Sequence, residues 1–191
     1  MRIGVLALQG DFAKHAQALR RLGVEAPEVR KPEELAGLDA LIIPGGESTT
    51  LLKLMGHAFP PALAAFHAAG RPIYGTCAGL ILLARQVVNP AQPSLGLIDV
   101  TAERNAYGRQ RESFEVEAEA RLGDVSGLVR MVFIRAPRIT RTGPAVRTLA
   151  TVRDEPVLAR QGPVLVGSFH PELTDDLSIH RFFTEMVAGT A

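Results

Sequence analysis

The sequence predicts an α/β fold with a central mixed, mostly parallel β-sheet, in one domain spanning residues 1–191. Three observations carry this expectation. Short apolar, branched runs alternate with amphipathic helical stripes through the first half of the chain. Glycine- or proline-containing turns follow several of these runs and lead into helices. After Asn89 the texture changes to short strand-like runs joined by Gly/Pro turns, until a last helix closes the chain.

Residues 2–8 (RIGVLAL) read as a parallel strand buried on both faces, with none of the small-residue cleavage pattern of a signal peptide. Asp11 is placed to cap a helix with Phe12, Ala16, Leu19 and Leu22 on one stripe, stopped by Gly23. Residues 24–29 and 40–43 (ALII) predict the next two strands, the latter running into Pro44-Gly45-Gly46. Ser48 is the expected cap of a short helix to Met55, and a further helix covers about 61–69. Residues 72–74 predict a strand, followed by Gly75-Thr76-Cys77-Ala78-Gly79 and a helix through Arg85. Further strands are expected at 97–103, 114–120 (FEVEAEA), 131–134, 146–152 and 163–168, and the last helix at about 176–187. His15, His57, His67 and His180 fall on or beside amphipathic helices and are expected to be solvated or at the core edge.

Composition removes several classes of function. A net charge of +1 makes no electrostatic case for nucleic acid or an anionic membrane. Aromatics at 5% with no tryptophan leave few platforms for stacking bases. No apolar run approaches a membrane span. The single cysteine, Cys77, cannot form an internal disulfide; it fits a reducing, cytoplasmic setting and leaves one thiol to explain. No histidine cluster has zinc spacing, so neither metal nor cofactor is expected.

The chemistry concentrates in three places. Cys77 sits in a G-x-C-x-G turn where a strand becomes a helix, the cysteine version of a nucleophile elbow. The flanking glycines leave room for a sharp turn, and the helix N-terminus behind the sulfur favours a thiolate. Taken alone, such a cysteine could equally be a small buried hydrophobe. His170 and Glu172, in SFHPE, follow the last strand. Pro171 favours an extended His170, so the carboxylate two residues on can hold one imidazole nitrogen while the other faces a nucleophile. Third, the loop Pro44-Gly45-Gly46-Glu47-Ser48 lies between strand and helix, where Gly46 and Ala78 can offer N–H groups to an oxyanion. It lacks the lysine of a phosphate-binding loop. Arg104 and Arg135 lie at strand ends, where an arginine can clamp the carboxylate of an amino acid, although a plain surface role fits their spacing as well.

Together these residues resemble the triad-type (class I) glutamine amidotransferases, and within them the glutaminase subunits of pyridoxal 5′-phosphate synthase. The likeness rests on residues 8–10 (LQG), 44–49 (PGGEST), 75–84 (GTCAGLILLA), 103–110 (ERNAYGRQ), 113–115, 133–137 (FIRAP) and 168–174 (SFHPELT). Cysteine followed by alanine-glycine is its sharpest mark, and residues 121–130 match no motif.

The resemblance implies a three-layer, flavodoxin-like fold. It implies Cys77 as nucleophile completed by His170 and Glu172, and glutamine contacts from Gly46, Glu47, Ser48, Arg104, Ile134 and Arg135. It also implies L-glutamine as substrate and a synthase subunit as partner in a large heteromeric complex. An amidotransferase serving another synthase, an elbow-cysteine hydrolase of different substrate, or a binding module with a structural cysteine remain alternatives at this level.

Overall fold

The computed structural model describes residues 1–104 and 113–190. Residues 105–110 of the ERNAYGRQ motif lie outside the described residues. The first half alternates as expected: β1 (Ile3–Leu6), α1 (Phe12–Arg21), β2 (Glu28–Val29), β3 (Ala40–Ile43), α2 (Ser48–Met55), α3 (Phe59–Ala68), β4 (Ile73–Thr76) and α4 (Ala78–Leu83). There follow β5 (Ala84–Val88), β6 (Ile98–Glu103), β7 (Ser113–Leu122), β8 (Val125–Ile134), β9 (Arg138–Thr142), β10 (Arg147–Val152), β11 (Glu155–Gln161), β12 (Val164–Gly167) and α5 (Ser178–Ala188).

Among the described residues these strands form a nine-stranded sheet, in the order β2-β1-β3-β4-β12-β11-β10-β7-β8, and a three-stranded sheet β5-β6-β9. From β2 to β12 every pairing is parallel; from β12 outward every pairing is antiparallel. The mixed sheet therefore has a parallel core carrying an antiparallel wing. Alternating side chains serve two cores, as the period of two demands. Ala40 and Ile42 pack toward α1 and α5, with Leu19, Ile179 and Phe183. Leu41 and Ile43 pack toward α2, α3, α4 and the small sheet, with Leu51, Leu63, Leu82 and Val100.

Several elements differ from expectation for identifiable reasons. The helix after Cys77 stops at Leu83 instead of running through Arg85, and 84–88 pair with β6 as a strand. All six residues of α4 are buried, so no polar face marks its length. The second strand shrinks to Glu28–Val29, with Glu25 adding an isolated bridge to Arg2. Residues 121–130, which matched no motif, join β7 and β8 into a hairpin turned at Gly123-Asp124. The alternation of FEVEAEA is realised there: Glu115 pairs with Arg130 at 2.5 Å on the outer face, and Phe114 stacks on Phe133 at 4.5 Å. Asp11 makes no side-chain capping bond. At α2 the capping residue is Glu47, one before the expected Ser48; its carboxylate accepts from the N–H groups of Thr49 and Thr50.

No helix among the described residues is long and apolar enough to cross a membrane.

Candidate active site

Four parallel strands deliver the site, all from their carboxyl ends, where open α/β sheets place ligands. β1 leads to Gln9 and Gly10, β3 to Gly45 and Gly46, β4 to Cys77, and β12 to His170. The register sets Thr76 beside Gly167, so Cys77 and the chain leading to His170 leave the sheet side by side.

Cys77 has φ 49 and ψ −101, a left-handed backbone that a non-glycine residue adopts only under strain. Its N–H donates to the Gly167 carbonyl at 2.8 Å, which pins the bend to β12. The flanking glycines are sterically required. A Cβ on Gly79 would collide with the Ile43 carbonyl, and one on Gly75 would lie 2.6 Å from the Gly79 carbonyl carbon. The predicted elbow is thus present, although the helix behind it has only six residues.

His170 donates its backbone N–H to Val132 at 2.8 Å, and its Nδ1 lies 2.7 Å from Glu172 Oε1. Glu172 reaches the ring from a short 3₁₀ turn, Pro171–Leu173, and not from the extended strand anticipated. The other ring nitrogen is left for the sulfur, with which the imidazole interacts. Burial opposes charge on the ring, but its bonds to Cys77 and Glu172 win and push the His170 pKa up to about 10. Burial likewise works against ionised Glu172, yet the neighbouring His15 and His170 hold its carboxyl down at about 2. The arrangement holds a protonated imidazole between the buried Glu172 carboxylate and the Cys77 sulfur.

A cavity of about 370 Å³ opens in front of the sulfur. Gly46, Glu47, Ser48, Arg104, Ile134 and Arg135 all line it, with Cys77 and His170. Ala78 and Glu172 do not; Ala78 is fully buried behind the elbow and Glu172 behind the imidazole. Glu47 is committed largely to its own helix. Hydrogen bonds from the Thr49 and Thr50 hydroxyls and N–H groups hold its carboxyl at about 2, and the Arg104 guanidinium lies 3.5 Å from it. The Ser48 hydroxyl donates to Gln92 Oε1 at 2.8 Å. Arg135 has φ 44, a second strained non-glycine backbone at the cavity wall.

Sequence reasoning missed several participants. Gln9 lines the cavity, and its Oε1 accepts from the Glu47 N–H at 3.0 Å, tying β1 to the glycine loop. Gly10, at φ +92, has no room for a Cβ, which would strike the Gly45 carbonyl. Two histidines expected at the surface or core edge are fully buried: His15 on α1 and His180 on α5. His15 Nδ1 lies 2.9 Å from His180 Nε2, and His15 Nε2 lies 3.3 Å from Glu172 Oε2. The signal was available, since position 15 is three residues after Phe12 and four before Leu19 on the stripe already assigned to the core.

Burial pushes both pKa values down, His15 directionally and His180 to about 3. Both rings are thus neutral in the folded protein, while in the unfolded chain they bind protons near pH 6.5. Between about pH 3 and 6.5 the unfolded state carries the extra protons, so stability rises with pH across that window. The thermal midpoint is therefore expected to fall steadily as pH drops below about 6.5. Each tenfold difference in proton affinity between the unfolded and folded ring is worth ~1.4 kcal/mol. A scanning-calorimetry series at constant ionic strength reads it; a flat midpoint from pH 6.5 to 4.5 would contradict buried neutral rings.

Cys77 at a strained bend, His170 and Glu172 just beyond the end of the neighbouring strand, and a cavity lined by arginine and a glycine loop form the kind of arrangement that thiol hydrolases of the amidotransferase type use. The chain belongs to the SNO glutamine amidotransferase family, whose model matches residues 5–189. Similar proteins include the pyridoxal 5′-phosphate synthase subunit PdxT of Koribacter versatilis, 53% identical over 98% of this chain and 96% of the relative. That of Carboxydothermus hydrogenoformans is 52% identical, with 98% of each chain covered. A crystal structure of a glutamine amidotransferase superposes with a TM-score of 0.91 at 51% identity, covering 97% of this chain and 98% of the other. PurLQS from Thermotoga maritima shares the fold at a TM-score of 0.73 and 15% identity.

Proposed function

We propose that this protein is the glutaminase subunit of a pyridoxal 5′-phosphate synthase, folded as one domain and working in the cytoplasm within a large heteromeric complex. It hydrolyses L-glutamine to glutamate and ammonia and passes the ammonia to a synthase subunit. The observation that carries this reading is the meeting of Cys77 and His170 at adjacent strand ends in front of a cavity of about 370 Å³. The relatives named PdxT supply the synthase context.

In this reading the Cys77 sulfur attacks the side-chain amide carbon of glutamine. The carbonyl oxygen becomes an oxyanion, met by N–H groups of Gly46 and Ala78. His170, protonated at rest, gives its proton to the amide nitrogen, and the C–N bond breaks to release ammonia. The thioester is then hydrolysed by water that His170 deprotonates, freeing glutamate and the sulfur. Glu172 keeps the imidazole oriented throughout and stabilises it whenever it carries the proton. Arg104 and Arg135 hold the α-carboxylate, and Glu47, Ser48 and Ile134 shape the remaining wall.

Ammonia released into water would be protonated and lose its nucleophilicity, so a partner must seal the cavity. Glutaminase turnover is therefore expected to be low for the isolated subunit and to rise severalfold or more when a synthase subunit is added. Equal turnover with and without the synthase would count against partner-dependent chemistry.

A further inference from the structure

We infer that His15, held by His180, is a positioning residue for this reaction: its Nε2–H steadies the far oxygen of Glu172, so that the near oxygen stays aimed at His170. The inference rests on the glutaminase reading above and deepens it from a triad to a line of five residues.

The geometry begins with an unsatisfied atom. Glu172 is ionised and buried, and only Oε1 is used by His170. Among the described residues Oε2 makes no aligned hydrogen bond, and His15 Nε2 lies 3.3 Å from it. A buried carboxylate oxygen without a donor costs free energy and lets the group swivel. The two buried imidazoles decide who supplies that donor. They meet Nδ1 to Nε2 at 2.9 Å, so one nitrogen carries the proton and the other accepts it. If His15 Nδ1 held the proton, its bare Nε2 would face a carboxylate oxygen, acceptor against acceptor in a dry site. With His180 donating from Nε2, His15 carries its proton on Nε2, facing both Glu172 Oε2 and Thr76 Oγ1 at 3.3 Å.

The tautomer of His15 is therefore set by α5 and read by the active site. Among the described residues, other charged groups acting on the pair are few. Asp11 and His170 act on His15, and Asp176 and Glu172 on His180. Lys14 and Arg21 share with Glu172 the wall of a second cavity, of about 240 Å³. The Tyr74 hydroxyl, also near Glu172, is buried without a partner. Burial lowers the His15 pKa while Glu172 beside it works the other way, and at neutral pH the ring faces the carboxylate as an N–H donor.

Two amide substitutions separate this role from packing. Glutamine places its NH2 near Nε2 of the imidazole it replaces; asparagine places it near Nδ1. In complex with the synthase subunit, His15→Gln is expected to keep kcat within about threefold, while His15→Asn loses about tenfold in kcat at unchanged KM. The acid limb of the kcat profile should move up by about one pH unit in His15→Asn only, because Glu172 loses the group that keeps it ionised. Matching kcat values and acid limbs in the two folded variants would overturn the inference. Should either variant fail to fold, His180→Gln against His180→Phe asks the same question one link out. Loss of kcat confined to His180→Phe supports the role, and equal kcat values overturn it. A wild-type complex that releases no ammonia from glutamine would instead sink the glutaminase reading itself.

Discussion

Replacing Cys77 by alanine is expected to abolish ammonia release from glutamine, by at least about 10⁴-fold in kcat, because no other group can form the thioester. Cys77 is the only cysteine in the chain, so no neighbouring thiol can substitute. The loss should be confined to chemistry. The side chain is small and almost buried, and the backbone bond from its N–H to Gly167 does not involve the sulfur. A melting curve close to wild type and undiminished association with the synthase subunit should accompany the lost activity. A variant that still turns over glutamine would remove the sulfur from the mechanism. One that no longer binds the synthase would give it a structural role instead.

The second large effect belongs to Glu172. Glu172→Gln keeps the shape but removes the charge that holds the imidazole at 2.7 Å, and the amide can present the wrong group to Nδ1. A fall in kcat of about 10²–10⁴ is expected, the range seen when a triad's orienting carboxylate is neutralised. The pH profile carries the sign. Glu172 helps to raise the His170 pKa to about 10, so its loss lowers that pKa toward the ordinary imidazole value near 6.5. The basic limb of activity, where the ring can no longer protonate the leaving nitrogen, should move down in pH. An unmoved basic limb would mean that Glu172 does not stabilise the imidazolium.

Much of this site was legible in the sequence because its geometry is local. The elbow needs only a strand, a glycine on each side of Cys77, and a helix start, all within a few residues. His170 and Glu172 are two residues apart, so their contact does not depend on the turn between them. Even the shift from an extended chain to a 3₁₀ turn left it intact.

What escaped notice depends on distant packing. The hydrogen bond from Glu47 to Gln9 joins the loops after β3 and β1, 38 positions apart, and the His15–His180 contact joins two helices across 165 positions. The antiparallel wing was only partly readable. β10 and β11 turn at Arg153-Asp154, both with positive φ, where no glycine announces a hairpin. β11 begins Glu155-Pro156 and lacks clean alternation, since its middle residues Val157, Leu158 and Ala159 are all buried. β5 stayed hidden because a wholly buried helix runs directly into it.

The most direct measurement is covalent trapping of the protein by a diazo-ketone analogue of glutamine, in the presence of the synthase subunit. Intact-mass and peptide analysis should find one adduct, on Cys77, with L-glutamine in excess slowing its formation. A complex that stays unmodified, or an adduct that L-glutamine does not slow, would contradict the account.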